Sequence, residues 1–218
     1  MNLFQRIEIS LGRRSHEQHI IDSFCNGYSD YRHWLFFKKI LSAVKGHNIL
    51  MLGVYQGRDI AYIASILRPL GASNYTITGV DKFEDSPGMD WPEEKRGMSW
   101  QEAGCGLPPD VNIAKANLSQ LGLFDKVSLV RSTADEFLRD TKEFYDLIYI
   151  DVSHDYKTTL SCIDSAIPKL ALKGYVGGDD FSDNGTWGVA SAVKESFTQF
   201  KLFYDWIWLA KASAYIKK

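Results

Sequence analysis

Asp151, Asp179 and Asp180 are the residues whose type and spacing point most directly to chemistry. Asp151 ends the apolar run LIYID and the aspartate pair ends a second run, YVGGDD. Between them Leu160, Ile163, Ile167 and Leu170 recur at helical spacing. A strand, helix, strand unit with a right-handed crossover lays its strands parallel and brings both carboxyl ends to one edge. Asp151 then lies beside Asp179 and Asp180, 28 positions away in the chain, at the edge where open α/β sheets bind their ligands. Three carboxylates in one place repel one another unless a proton, an arginine or a cation neutralises them, and hard oxygen donors suit Mg²⁺ or Ca²⁺. The plainer alternative is that each aspartate caps the next helix or stays solvated. His154, with an unperturbed pKa of about 6.5, could exchange a proton at neutral pH, or could only orient a carboxylate or bond the following turn. Asp155 and Asp164 read as a helix-start and a surface charge.

The elements that must position these groups follow a βα order. NILML is an apolar strand, the turn after it carries Gly53 and Gly57, and Ile60, Ile63, Ala64 and Leu67 mark a helix that Pro69 stops. Glycines at such a turn let a ligand approach the backbone, and the helix start offers unpaired N–H groups. The second strand, YTITGVD, ends in Asp81, 24 residues past Gly57, where an acidic side chain can take ribose hydroxyls. A nucleoside-bearing ligand fits that pair of features, and a simple turn residue is the alternative for Asp81. Residues 82 to 112 lack a sustained period and hold four of the six prolines. A loop that long in a compact domain tends to be a lid or binding segment, and Met89, Trp91, Met98 and Trp100 would close over a substrate, pack on the body, or meet a partner chain.

Elsewhere Trp34, Phe37, Leu41 and Val44 share one face of a helix from Tyr31, with Gly46 placed as its left-handed cap. Ile113 to Leu121 reads as a helix capped at Gly122, VSLVRS as a third strand and Ala134 to Arg139 as a short helix. Val189, Val193, Phe197 and Phe200 mark the last helix, and the closing KLFYDWIWLAKASAYIKK reads as two antiparallel strands. The fold class is α/β, a single domain spanning 31 to 218, with residues 1 to 30 as a helical extension and 82 to 112 as an insertion.

The 218 residues are 45% hydrophobic and 24% charged, with a formal charge of -2. That composition is globular, and the balance gives no general electrostatic case for nucleic acid or an anionic membrane as partner. No signal-peptide core or run of about 18 apolar residues is present, so the expectation is a cytoplasmic chain acting on a small molecule, with a homo-oligomer left open. Cys25, Cys105 and Cys162 are too few and too scattered for a disulfide framework or zinc site.

With those residues in view, the chain resembles the class I S-adenosylmethionine-dependent methyltransferases. Within them it is similar to the metal-dependent O-methyltransferases typified by the catechol, caffeoyl-CoA and macrocin enzymes. The family turn is acidic-x-G-x-x-x-G; here Met51-Leu52-Gly53-Val54-Tyr55-Gln56-Gly57 keeps both glycines and the tyrosine, with Met51 in place of the acid. The resemblance implies a Rossmann-like sheet of seven strands, mostly parallel with the last reversed. It further implies S-adenosylmethionine held by Gly53, Tyr55, Gly57, Asp81 and Ser132, and a divalent metal, Mg²⁺ by family habit, on Asp151, Asp179 and Asp180. Where the catechol enzymes place a catalytic lysine, this chain has His154, which becomes the candidate base. The reaction implied is methyl transfer to a metal-bound hydroxyl of a sugar, catechol-like or natural-product acceptor. Two alternatives stand beside it, a methyltransferase-like binding or assembly protein and a hydroxylase-associated relative with the same aspartates.

Overall fold

The computed structural model describes residues 15–44, 46–69, 74–85, 97–182 and 187–216. Met89 and Trp91 lie outside them, as do residues 1–14 of the N-terminal extension. Among the described residues, two helices, α1 (His16–Phe24) and α2 (Tyr31–Ala43), precede the sheet. Then follow β1 (Asn48–Leu52), α3 (Arg58–Leu67), β2 (Thr76–Asp81), α4 (Val111–Gln120), β3 (Val127–Arg131), α5 (Ala134–Asp140), β4 (Tyr145–Ile150), α6 (Tyr156–Ala166), β5 (Leu170–Gly178), α7 (Val189–Ser196), β6 (Phe200–Phe203) and β7 (Ile207–Lys211). The strand order is β3-β2-β1-β4-β5-β7-β6. β1 to β5 pair in parallel, and β7 runs antiparallel to both β5 and β6.

The alternation of side chains along the central strands divides the core into two layers. Ile49, Met51, Ile77, Leu147 and Tyr149 face α2, α3 and α4, where Trp34, Phe37, Ile63 and Leu118 bury against them. Leu50, Leu52, Ile148, Ile150 and Val176 face α5, α6 and α7, meeting Leu138, Ile163 and Val193. The near-continuous apolar runs of β1 and β4 are what a sheet covered on both faces requires. Phe37 is fully buried between Phe36 and Tyr149, so truncation to alanine should cost about 3–5 kcal/mol.

Three boundaries differ from the sequence reading. α2 stops at Ala43, with Val44 already extended. Gly46 instead answers a close approach, since a Cβ there would meet the Asp146 carboxylate at 2.3 Å. Phe197 and Phe200 continue the helical spacing of Val189 and Val193, yet α7 ends at Ser196. Phe197 is extended and bridges to Tyr215, and Phe200 opens β6. α4 begins two residues before the expected start because Asp110 caps it, accepting from the amides of Asn112 and Ile113.

Candidate functional site

The turn between β1 and α3 is built around left-handed backbone. Gly53 has φ +92 and Gly57 φ +90, and Tyr55 between them holds φ 53. At Gly53 the reason is contact as well as torsion: a Cβ would fall 1.6 Å from the Asp151 carbonyl oxygen. The turn is therefore pressed against the end of β4, its neighbour in the sheet. Gly57 sits at the N-cap of α3 without a side-chain cap, so the first amides of that helix take no acceptor from the cap residue.

Asp81, at the end of β2, closes this turn from the other side. Its Oδ2 accepts from the amides of Val54 and Tyr55 at 2.8 and 2.9 Å, and its Oδ1 from the amide of Phe83 at 2.8 Å. A carboxylate has roughly four acceptor positions, so about one is left for a ribose hydroxyl. Ser132 follows β3, its amide donating to the Asp81 carbonyl at 3.1 Å, which puts it on the same edge. Tyr55 turns away from the sheet. Its hydroxyl donates to the Leu107 carbonyl, and its ring packs between Tyr28 and Trp100 at centroid distances of 5.6 and 5.5 Å. Gln56 reaches the Pro108 carbonyl, and Tyr28 that of Cys105. Residues 97 to 110 thus fold onto the glycine turn.

At the other half of the edge, Asp151 follows β4 and Asp179 follows β5, the two strand ends joined by the Asp179 amide donating to the Ile150 carbonyl at 3.2 Å. Asp151, His154 and Asp180 offer one donor atom each within 4.8 Å of one another. His154 Nε2 lies 2.8 Å from Asp180 Oδ2, and the imidazole packs on Trp187 at 4.7 Å. Asp155 caps α6 through the Thr158 amide at 2.9 Å, and Asp164 accepts from the Tyr215 hydroxyl; neither joins the cluster. The Asp151 carboxylate accepts no hydrogen bond among the described residues. Burial and then the charges of Asp179 and Asp180 push its pKa well above the usual range, against the pull of His154.

Asp179 has a different partner. His33, on the first turn of α2, places Nε2 2.6 Å from Asp179 Oδ2. Its Nδ1 lies 3.4 Å from Asp30 Oδ1 and 3.1 Å from the Asp30 amide. Only the neutral ring could accept that amide proton, whereas two flanking carboxylates favour the cation, and charge-assisted bonds are the larger effect. Burial works against the charge, and the bonds to Asp179 and Asp30 outweigh it, pushing His33 up to about 11. Asp59, in the first turn of α3, is 6% exposed with Oδ1 unpartnered, and burial raises its pKa. Tyr149 has a buried hydroxyl without a partner among the described residues, and its pKa is raised by burial and then by Asp179 and Asp59. His33, Asp59 and Tyr149 are absent from the sequence-derived site. The D-x-x-H capping pattern at Asp30 and His33 was the available signal for the first, and nothing local marks the other two.

The donor chemistry fits a divalent ion. A cavity of about 10 Å³, on the scale of one water, is lined by Asp151, Ser153, His154, Asp179 and Trp208 among others. Asp179 Oδ1 and Trp208 Nε1 are buried without partners among the described residues. Met51 does not resemble a cofactor contact: it is 2% exposed in the core, paired in register with Gly79 and Tyr149. The described part of the 82 to 112 segment lies on the turn rather than on the acid cluster.

The family profile described as a methyltransferase domain matches residues 50–181. Among solved structures, that of the O-methyltransferase NovP superposes with a TM-score of 0.63 at 18% identity, covering 85% of this chain and 82% of that one. The calicheamicin methyltransferase CalS11 gives 0.58 at 17% identity over 93% and 82%. A SAM-dependent O-methyltransferase from Thermotoga maritima gives 0.55 at 16% over 94% and 69%. At such identities these likenesses establish the fold. No curated protein matches the chain in sequence, and no helix among the described residues is long and apolar enough to cross a membrane.

Proposed function

The chain belongs to the methyltransferase-domain family, and from that premise we propose that it transfers a methyl group from S-adenosylmethionine to a hydroxyl of a small molecule, with a divalent ion at the acid edge. One observation carries this reading: Gly53 packs directly on the Asp151 carbonyl. The turn suited to the methyl donor and the carboxylates suited to the acceptor's ion therefore share one edge, a strand apart.

Gly53 and Gly57 keep the turn free of side chains where the donor must lie, and the uncapped start of α3 receives its carboxylate. Asp81 Oδ1 takes one ribose hydroxyl. Asp151, Asp179 and Asp180 would hold the ion, with His154 against Asp180. A divalent ion bound there lowers the pKa of an acceptor hydroxyl and fixes its position. Acceptors with two adjacent oxygens suit such a site, and the packing of residues 97 to 110 on the glycine turn makes that segment a cover over the donor. NovP and CalS11 act as O-methyltransferase and calicheamicin methyltransferase, which supports an oxygen acceptor here.

The test is incubation with methyl-labelled S-adenosylmethionine and a panel of vicinal diols, catechols and deoxysugar nucleotides, with and without chelator. Labelled ether that disappears with EDTA is the expected result. A second reading, a methyltransferase-like binding protein, is favoured by one feature, the buried Met51 where the related turns carry an acid. Tight cofactor binding with no label transferred to any acceptor would favour it.

A further inference from the structure

The run YVGGDD carries a glycine pair, Gly177 and Gly178, that neither the glycine turn nor the carboxylates account for. What the pair answers is Trp208 of β7, which stands opposite Gly178 in the antiparallel register. A Cβ on Gly177 would lie 2.7 Å from the Trp208 carbonyl oxygen, and one on Gly178 would lie 2.8 Å from Trp208 Nε1. Without those side chains the indole closes on the end of β5. Trp208 is fully buried, with the Phe197 ring at a centroid distance of 5.9 Å, and its Nε1 has no partner among the described residues. Asp179 Oδ1 is buried and unpartnered in the same sense, while its Oδ2 is taken by His33. The two atoms are of opposite kind, because an indole nitrogen only donates and a carboxylate oxygen only accepts. Both residues line one cavity of about 10 Å³, the space that one water needs. A cation against the indole would meet the positive end of the N–H dipole, whereas a group that both accepts and donates satisfies the two sides at once.

We propose that this cavity holds one internal water, accepting from Trp208 Nε1 and donating to Asp179 Oδ1, and that Trp208 is thereby a positioning residue of the acid edge. The second proton of the water is left for Asp151, which lines the same cavity. The water ties the ends of β4 and β5 to β7, and Asp179 is held at one oxygen by His33 and at the other through the water. Trp208 lies outside the βα units, on a strand that supplies none of the carboxylates. The inference deepens the proposed function by adding a residue to its acid edge, and the positioning role rests on that reading. The water itself depends on neither the ion nor methyl transfer.

The experiment has two arms. A crystal structure of the full chain, treated with chelator, should show one ordered water within hydrogen-bond reach of both Trp208 Nε1 and Asp179 Oδ1. A dry cavity, a cation in it, or the indole bonded directly to a carboxylate would overturn the proposal. In solution, Trp208→Phe keeps an aromatic ring and removes the donor. It should weaken Mn²⁺ binding, read by electron paramagnetic resonance, by about tenfold, while S-adenosylmethionine affinity by calorimetry stays that of the wild type. Phe197→Leu loosens the packing on the same ring and keeps the N–H, so it should bind Mn²⁺ as the wild type does. Unaltered Mn²⁺ affinity in Trp208→Phe, or an equal loss in Phe197→Leu, would make Trp208 a packing residue and overturn the positioning role. If the wild type binds no Mn²⁺, the ion of the proposed function falls and the positioning role with it, while the crystallographic arm still decides the water.

Discussion

Asp81 and Asp151 both close central parallel strands at the same edge of the sheet, and their surroundings are opposites. Asp81 receives three backbone amides within 2.9 Å, and its role in shaping the turn is complete within the chain itself. The Asp151 carboxylate receives no hydrogen bond from the described residues, and burial first, then the like charges of Asp179 and Asp180, raises its pKa. A carboxylate of the first kind stabilises the fold, whereas one of the second kind opposes folding until something outside the chain joins it. The difference separates a carboxylate held in place by the chain's own amides, with about one acceptor position to spare, from one that the chain itself leaves uncompensated, although the residue type and the strand-end position are identical.

The sharpest break between the two is substitution by the neutral isostere. Asp151→Asn should lower ion affinity and turnover by about 100-fold or more yet raise the thermal midpoint of the ion-free protein, because it removes one of several clustered like charges. Scanning calorimetry in EDTA beside a metal titration would read both, and a lowered midpoint would mean that Asp151 is already satisfied.

Adding a carboxylate where none stands is the converse. Met51 is buried on the same face as Tyr149, whose hydroxyl lies in the field of Asp179 and Asp59. Met51→Glu, which would restore the acid of related turns, should therefore destabilise the chain by about 3–5 kcal/mol in urea unfolding; unchanged stability would show a site prepared for a charge.

Asp81→Ala should cost about 1–3 kcal/mol, since it orphans the amides of Val54, Tyr55 and Phe83, and should weaken S-adenosylmethionine binding in the same measurement series. A loss of cofactor affinity with unaltered stability would make Asp81 a ligand contact first and a turn residue second.

The smallest expected effect lies at Asp30, which caps α2 and carries the ion pair with Arg32 and the contact to His33. Burial favours its neutral form, but hydrogen bonds from His33 and Arg32 prevail and hold it well below the usual carboxylate range. Asp30→Ala should cost about 1 kcal/mol. A depressed carboxylate stabilises above its unfolded pKa of about 3.9 and loses that contribution as pH falls below it. The wild-type advantage over the variant should be full at pH 6 and shrink through the acid range, as guanidinium titrations at a series of pH values would show.

The βα order, the glycine turn and the convergence of Asp151 with Asp179 and Asp180 could be read from the sequence because each rests on local periodicity plus the handedness of crossovers. The partner of Asp179 could not, since His33 lies 146 positions away on a helix outside the βα repeat. Asp59 was hidden for another reason: an acid in a first helical turn ordinarily serves the helix dipole in solvent, and only the packing of α1 and α2 over α3 buries it. The different partners of Asp179 and Asp180, His33 and His154, accompany a left-handed φ of 58 at Asp180, which no spacing encodes. Phe200 was misplaced because its helical spacing with Val193 and Phe197 persists across a break that the isolated pairing of Phe197 with Tyr215 imposes.

The central claim, that methyl donor and acid edge face each other across Gly53 and Asp151, is tested most directly by proton relaxation of S-adenosylmethionine bound to the Mn²⁺-loaded protein. The S-methyl protons should relax faster than the adenine protons, and the difference should vanish when Mn²⁺ is removed by chelation. Equal relaxation of both groups, or faster relaxation of the adenine, would place the donor's methyl away from the acid edge and contradict the account.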